Sequence, residues 1–342
     1  MNTPVTQMRR EIEEIPNAVD RLLSEGGDAV SRTASEIRDG DIRFLMSVAR
    51  GSSDHACTYL KYASEILLGR PMASIGPSVA SIYGATLDVR DSVCLSVSQS
   101  GKSPDIVAMT KAVTKGGAYS VAITNDAASP LAEAAVATLP IHAGAELSVA
   151  ATKTFVTSLV TGLWLLAEID QNEPLLSAIR ALPEKLAEAT SCNWSTAANA
   201  ITGQSLYTLG RGPSWAISNE AALKFKETCQ IHAESYSSAE VLHGPVSIVE
   251  RGFPVIGFAA GDAAEDALVE VADALAEKGA VVFVTSAKAR RAKCLEHVRT
   301  DHWMTDPIAA VVSFYSMVEQ VASARGINPD APRHLKKVTE TV

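Results

Sequence analysis

The sequence predicts an α/β protein with two tandem domains, each a parallel sheet flanked by helices, related by internal duplication. Short apolar segments rich in β-branched residues alternate with longer amphipathic segments, which is typical of parallel strands connected by helices. The chain also repeats itself, with three pairs of landmarks at an offset of 160 or 161 residues: Arg50 and Arg211, Gly101 and Gly261, Thr124 and Thr285. Three landmarks at nearly one offset indicate a duplicated domain.

These landmarks divide the sequence into four predicted parts. An N-terminal helical segment covers residues 1–34, and the first domain covers residues 35–170. A helical connector at 171–200, which includes the stretch from 175 to 189, leads to the second domain. That domain and its C-terminal tail cover residues 201–342.

The composition excludes several classes of protein. The chain has 342 residues, of which 47% are apolar, and its net charge is −9. Because binding to a phosphate backbone requires a basic surface, this negative charge means that nucleic acid is not an expected partner. The longest apolar stretch, near 156–167, is too short to cross a membrane, and the polar start at 1–14 is unlike a signal peptide. Five scattered cysteines indicate reduced thiols. We therefore expect a soluble cytoplasmic protein without a membrane partner.

The segment Ser98–Gly101 lies between a predicted buried strand, Val93–Val97, and a helix predicted to begin near Pro104. Ser103 suits the N-cap of that helix. Hydroxyl groups and a glycine between a strand and a helix N-terminus favour binding of an anion. Because the segment lacks the lysine of a Walker motif, we expect a small phosphate monoester and not a nucleoside triphosphate. An ordinary polar turn explains the segment equally well. The second copy has Ala259–Asp262 here, without hydroxyls, so the phosphate site is expected in the first copy.

A predicted helix after the glycine-rich turn Gly210–Gly212 carries Glu220, Lys224 and Glu227 at positions i, i+4 and i+7. A solvated face with ordinary salt bridges is one interpretation of this pattern. Proximity to His243, a loop histidine before Gly-Pro and a candidate acid or base, favours a catalytic interpretation. Such a loop by itself is more often structural. The spacings match neither a metal site nor a dinucleotide fingerprint, so no metal and no cofactor are expected.

The order and spacing of the motifs resemble the tandem sugar isomerase (SIS) domain proteins almost from end to end. The resemblance is strongest to the isomerase half of glucosamine-6-phosphate synthase and to stand-alone SIS-type glucosamine-6-phosphate deaminases. It is carried by Met8–Ile12, Arg50–Ser53, Ser98–Gly101, Glu146–Lys153, Glu220–Glu227, His232–Glu234, Glu240–Pro245 and Pro332–Thr339.

This resemblance implies a role for each matching residue. Glu227 would move a proton between C1 and C2 of the sugar, with Lys224 as its charge partner. His243 would open the sugar ring. It would act from the neighbouring subunit, so the protein would be a homodimer with shared active sites. Lys337 would form an imine with the open-chain sugar. This chemistry needs a carboxylate and an acid but no metal. The residues implied to bind the phosphosugar are Ser53, Ser98, Gln99, Ser100, Ser103 and the backbone groups of Val149 and Ala151.

Some residues depart from the synthase pattern. Arg50 stands where the synthase has a cysteine, and Lys102 stands where it has a glutamate. Both replacements add positive charge near the predicted phosphate loop. We therefore also count Arg50 among the substrate-binding residues. Ala151 and His334 replace a hydroxyl and an amide. The sequence shows no glutaminase domain and no cysteine at position 2, so we expect no nitrogen transfer from glutamine by the synthase's route.

The reaction favoured by the sequence is conversion of glucosamine-6-phosphate to fructose-6-phosphate and ammonia. A deaminase or deglycase of another amino-sugar phosphate, such as galactosamine-6-phosphate or a fructosamine phosphate, is an alternative. A non-catalytic regulator that binds sugar phosphates is a second alternative. The joint presence of Glu227, His243 and Lys337 disfavours the regulator, which needs none of them.

Overall fold

A computed structural model describes residues 5–337; residues 1–4, and 338–342 of the predicted C-terminal tail, lie outside the described residues. The first sheet contains β1 (Phe44–Val48), β2 (Met72–Ser74), β3 (Ser92–Val97), β4 (Tyr119–Thr124) and β5 (Ala137–Pro140). The second sheet contains β6 (Ser205–Gly210), β7 (His232–Ser237), β8 (Pro254–Gly257), β9 (Val281–Val284) and β10 (Lys293–Cys294).

Helices connect and flank these strands. Before and within the first sheet they are α1 (Gln7–Glu13), α2 (Ile15–Glu25), α3 (Gly27–Asp39), α4 (Ser52–Leu67), α5 (Ser78–Ser81), α6 (Pro104–Lys115) and α7 (Pro130–Ala134). The later helices are α8 (Lys153–Asp170), α9 (Glu173–Arg180), α10 (Leu182–Thr190), α11 (Ser195–Ala200), α12 (Pro213–Cys229), α13 (Glu265–Glu277) and α14 (Asp306–Ala324). Two 3₁₀ turns lie at Glu240–Leu242 and Pro245–Ile248.

Both sheets have the same topology. The strand order is β2-β1-β3-β4-β5 in the first and β7-β6-β8-β9-β10 in the second, and neighbouring strands are parallel throughout. The prediction of two parallel sheets related by duplication is therefore confirmed. The chain reverses its direction of winding between β1 and β3, and again between β6 and β8. Ligands of open α/β sheets bind at the carboxyl ends of strands beside such a point.

The duplication extends to the backbone of single turns. Gly51 precedes α4 with φ 56° and ψ −133°, and Gly212 precedes α12 with φ 56° and ψ −137°. A side chain with a Cβ atom is strained in this conformation, so both turns require glycine. The two glycines are 161 residues apart, the same offset that relates Arg50 to Arg211.

The chain divides into two compact units that are not continuous in sequence. Within the described residues, the second-sheet unit contains residues 5–16, 147–152 and 181–335. The first-sheet unit contains residues 17–146, 153–180 and 336–337. The four predicted domains, which follow the order of the sequence, stay a prediction.

Each unit is built around one long buried helix. In the first-sheet unit α8 packs against α3 and α4, and a Cβ atom added at Gly162 would lie 2.4 Å from the Leu60 side chain. In the second-sheet unit α14 packs against α12, where Phe314 meets Phe225 edge to face with ring centroids 5.4 Å apart. Within residues 5–337, no helix has the combination of length and apolar character that crossing a membrane requires.

Candidate functional site

The serine-rich loop lies at the carboxyl end of β3, beside the reversal point of the first sheet. Ser98 is buried, and its hydroxyl accepts a hydrogen bond from the Gly101 N–H at 3.3 Å; the Ser100 hydroxyl accepts one from the Lys102 N–H, also at 3.3 Å. Gln99 is held by its carbonyl, which accepts from the Asn125 N–H at 3.1 Å. The three residues therefore form one compact turn that leads into α6.

Gly101 makes this turn possible. Its φ is +62°, and a Cβ atom at this position would lie 2.1 Å from the Ser129 hydroxyl oxygen. The Gly101 carbonyl also accepts a hydrogen bond from the Leu131 N–H at 3.0 Å. No other residue fits here without displacing α7, so the glycine is required by both backbone conformation and space.

Ser103 occupies the N-cap position of α6, as predicted, with Pro104 as the first helical residue. Within the described part of the chain, however, its hydroxyl makes no capping hydrogen bond to α6. The N–H groups of a helix start attract anions, and this hydroxyl adds a further donor at the same place. The start of α6 therefore has the chemistry that the predicted phosphate site needs.

Arg50 is fixed next to this helix start by Asp105. The Arg50 Nε and Nη2 atoms lie 3.1 and 3.0 Å from one carboxylate oxygen of Asp105, which is completely buried in the first turn of α6. The Arg50 side chain remains 53% exposed. Arg50 thus presents positive charge to solvent near the loop, and Ser53 lies in the first turn of α4, three residues further along.

Lys337 also belongs to the first-sheet unit, where it is paired with a buried carboxylate. Its Nζ donates to the Glu146 Oε2 atom at 2.8 Å. Glu146 in turn accepts from the N–H and the hydroxyl of Thr154, at 3.1 and 2.6 Å, in the first turn of α8. The Lys337 side chain is 25% exposed, so the amine is oriented by an ion pair and still accessible.

In the second-sheet unit, α12 brings the predicted carboxylate–ammonium group together. The Lys224 Nζ atom lies 3.0 Å from Glu220 and 2.6 Å from Glu227. The side chains of Glu220 and Lys224 are fully buried, whereas Glu227 is 21% exposed. The interpretation of this pattern as a solvated helix face is therefore wrong. A further group, the hydroxyl of Tyr315 on α14, donates to Glu220 at 3.0 Å.

The charge of Lys224 is maintained by its neighbours. Burial by itself would lower the pKa of this ammonium, but the carboxylates of Glu220 and Glu227 outweigh burial, so the pKa of Lys224 lies above its usual value. Lys224 is thus a permanent cation at neutral pH. It orients Glu227 and cannot itself serve as a proton acceptor there.

Glu227 lies near the C-terminal end of α12, far from the start of the helix. The start of α12 lies at the ligand edge of the second sheet, but Glu227 is fourteen residues after Pro213, about 21 Å along a helix that rises 1.5 Å per residue. Glu227 therefore does not serve a ligand at the edge of its own sheet.

His243 lies between the two 3₁₀ turns of the second-sheet unit. Its N–H donates to the Glu240 carbonyl at 2.9 Å, and its side chain is exposed. The apolar side chains of Leu242 and Ile248 nearby are 45% and 57% exposed. The loop position predicted from Gly-Pro is confirmed, and the imidazole is accessible to a ligand or to another surface.

Val149 and Ala151 lie in the short loop Leu147–Thr152 of the second-sheet unit and are half buried. The Val149 N–H donates to the Asp330 carbonyl at 3.3 Å. The loop is also held by Glu11 of α1, a residue of the motif Met8–Ile12 for which no role was predicted. The signal was present: Glu11 shares the buried face of α1 with Met8 and Ile12, where a carboxylate is unusual.

Other partners had no sequence signal. Asp105, Glu146 and Tyr315 hold predicted site residues through contacts between distant parts of the chain. No local periodicity indicates such pairs. Residues 5–337 contain no group of three His, Cys, Asp or Glu side chains arranged to hold a metal ion.

Comparison with known proteins identifies the family. A sequence profile of the SIS domain matches the chain twice, over residues 41–168 and 202–325, and each match contains one of the two parallel sheets. The chain belongs to the SIS domain family. The two matched segments of this tandem SIS protein correspond to the two copies predicted from the internal repeat.

Individual relatives cover nearly all of this SIS chain. It is 63% identical to a protein from Silicibacter pomeroyi DSS-3 provisionally assigned as a phosphosugar isomerase, whose structure superimposes with a TM-score of 0.93 over 95% of this chain and 100% of that one. Glucosamine-6-phosphate deaminase from Thermotoga maritima has the same fold, with a TM-score of 0.80, 20% identity and coverage of 98% and 100%.

A curated relative is longer than this SIS chain. The glutamine–fructose-6-phosphate aminotransferase of Pyrobaculum aerophilum is 33% identical over 362 residues, covering 95% of this chain and 60% of that protein. The chain thus spans about three fifths of the length of this relative.

Proposed function

We propose that this SIS protein is a phosphosugar aldose–ketose isomerase and deaminase that converts glucosamine-6-phosphate to fructose-6-phosphate and ammonia. The observation that carries the proposal is the pair on α12, in which the partly exposed Glu227 carboxylate is held 2.6 Å from the buried Lys224 ammonium. A fixed, accessible carboxylate is the group that proton transfer next to a carbonyl requires.

The proposed reaction assigns one task to each group. His243 assists ring opening, and the serine loop with Arg50 binds the phosphate. Glu227 then removes the proton from C2 of the open-chain amino aldehyde while O1 gains a proton, which gives an enol. Return of the proton to C1, with loss of one proton from the amine nitrogen, gives a 2-imine. Water hydrolyses this imine to the ketone and ammonia. The relatives support this chemistry, since their names concern phosphosugar isomerisation and amino-sugar phosphates.

Lys337 is proposed to form an imine at C2 of the open-chain ketone with loss of water, and hydrolysis of this imine returns the free amine and fructose-6-phosphate. An amine must lose its proton before it attacks a carbonyl. The Glu146 carboxylate at 2.8 Å is placed to accept that proton, and it is itself oriented by Thr154. The sugar's backbone contacts are assigned to Val149 and Ala151.

The protein is further proposed to act as a homodimer in the cytoplasm, as a hydrolase and isomerase without a cofactor. Five free cysteines, four of them buried, favour a reducing compartment. The exposed side chains of His243, Leu242 and Ile248 favour a partner surface that would fix the imidazole.

Ammonia release from a panel of sugars tests this function. The panel contains glucosamine-6-phosphate, galactosamine-6-phosphate, a fructosamine-6-phosphate and unphosphorylated glucosamine, with the Glu227→Gln variant as control. We expect ammonia and fructose-6-phosphate in equal amounts from the first sugar only. Release from another phosphate would identify the alternative substrate, binding without turnover would support a regulator, and glutamine-dependent amination of fructose-6-phosphate would contradict the proposal.

A further inference from the structure

Glu11 is a fully buried carboxylate on the inner face of α1. Its hydrogen-bond donors include the N–H groups of Leu147 and Ser148 and the Ser148 hydroxyl, all from the loop that carries Val149 and Ala151. The Ser148 N–H lies 3.3 Å from both carboxylate oxygens. Gln7, one turn earlier, donates its side-chain amide to Glu11 at 3.2 Å.

The helix that carries Glu11 is fixed at its start. Thr6 caps α1 by accepting from the Arg9 N–H at 3.0 Å, and the Asp330 carboxylate accepts from the N–H groups of Gln7 and Met8, both at 2.8 Å. Arg9 forms an ion pair with Glu319 of α14 at 2.6 Å. Glu11 is therefore a rigid support for the loop.

The three successive N–H groups at 147, 148 and 149 all donate to acceptors within the protein. The first two point to Glu11, and the third donates to the Asp330 carbonyl at 3.3 Å. A buried carboxylate is unfavourable unless hydrogen bonds compensate for its lost hydration. A helix that needed only an apolar core contact at this position would therefore carry an apolar residue. The carboxylate is matched to the donors of this one loop, and charge-assisted hydrogen bonds are strong and directional.

We propose that Glu11 is a positioning residue that sets the backbone of the loop Leu147–Thr152 for sugar binding. The inference rests on the proposed function, which assigns the sugar contacts to the backbone of Val149 and Ala151. Glu11 does not touch the substrate. It acts through Leu147 and Ser148, and it therefore affects recognition of the sugar and leaves recognition of the phosphate unchanged.

Titration calorimetry on the full-length protein tests this role with two ligands. Fructose-6-phosphate reports on sugar and phosphate contacts together, whereas inorganic phosphate reports on the phosphate loop alone. We expect Glu11→Gln to weaken fructose-6-phosphate binding about tenfold, because the amide NH2 opposes the loop donors. Inorganic phosphate binding should stay within twofold. The control is Glu13→Gln, an exposed carboxylate on the same helix, which should change neither.

A second variant keeps the test valid if Glu11→Gln is poorly folded. Ser148→Ala removes one hydroxyl donor to Glu11 and leaves the backbone donors in place, so a smaller loss, about threefold to fivefold, is expected in the same direction. Equal fructose-6-phosphate affinity in Glu11→Gln, Ser148→Ala and Glu13→Gln would overturn the inference. Parallel loss of phosphate binding would show a general structural role and also overturn it. Because calorimetry needs no turnover, absence of ammonia release would count against the proposed function alone.

Discussion

At the residue scale, the orientation of the candidate base Glu227 depends on the buried ammonium group of Lys224. Lys224 is buried, yet it remains charged because Glu220 and Glu227 each lie within 3.0 Å of its Nζ atom. An ion pair of this kind contributes little net stability compared with apolar packing, but it gives a carboxylate one fixed orientation. This explains why a buried charged group on α12 is compatible with the fold.

Replacement of Glu227 by Gln is predicted to abolish most of the turnover. Without the carboxylate no group moves the C2 proton, so kcat should fall roughly 10²- to 10⁴-fold while fructose-6-phosphate binding stays within a few fold. Steady-state kinetics and calorimetry check the two parts. Glu13→Gln serves as control, and a variant within a few fold of the parent rate would rule out Glu227 as the base.

Replacement of Lys224 by Met is predicted to destabilise the fold with a defined pH dependence. Removing one partner of a buried pair costs about 3–5 kcal/mol. Because the pKa of Lys224 is raised by Glu220 and Glu227, its contribution is fully present below the usual lysine pKa of 10.5 and is lost only as the pH rises through the higher folded value.

The difference in unfolding free energy between parent and Lys224→Met should therefore not decline from pH 7 to pH 9 in urea titrations. A difference that declines steadily over this range would show that Lys224 loses its proton near neutrality, contrary to the structure.

At the scale of elements, close helix packing in the first-sheet unit depends on one small residue. Gly162 of α8 faces Leu60 of α4, so Gly162→Ala is predicted to lower the free energy of unfolding by about 1–3 kcal/mol through overpacking. The matched control is Gly27→Ala in α3, where an added Cβ meets nothing closer than 3.9 Å. Equal urea midpoints for the two variants would contradict the close α4–α8 contact.

The loop between β3 and α6 gives a prediction about affinity. Replacing Ser98, Ser100 or Ser103 with Ala should each raise KM for the phosphorylated substrate, at a cost of about 1 kcal/mol or more, while kcat changes less. Ser24→Ala, on an exposed part of α2, is the control in the same kinetic assay. If unphosphorylated glucosamine were as good a substrate as its phosphate, the loop would not be a phosphate site.

At the scale of the whole molecule, the proposed homodimer with shared active sites predicts complementation. His243→Ala and Glu227→Gln chains are each inactive alone. If His243 acts from the neighbouring subunit, a mixed dimer contains one site with both residues intact. Random remixing of equal amounts makes half of the dimers mixed, so about a quarter of parental activity should return. Verified subunit exchange without any recovery would show that His243 acts within its own chain.

Local features of the amino-acid sequence determined the elements and their order. Apolar β-branched segments predicted the strands, and the constant offset between Arg50 and Arg211 predicted two equivalent sheets, because backbone conformation and hydrophobic periodicity are read from neighbouring residues. Turn chemistry placed Ser98–Gly101 and His243 in loops for the same reason. The i, i+4, i+7 spacing also predicted that Lys224 meets Glu227.

Tertiary structure alone decided how those groups are held. The bonds from Lys337 to Glu146, from Ser148 to Glu11 and from Arg50 to Asp105 join residues 191, 137 and 55 positions apart, and the burial of Lys224 depends on α14 packing over α12. Helical spacing predicts which side chains share a face of a helix, but it does not predict which other element packs against that face. Burial and distant ion pairs are set by chain topology. For this reason the burial of Lys224, and the loop donors that Glu11 meets, could be recognised only in the folded protein.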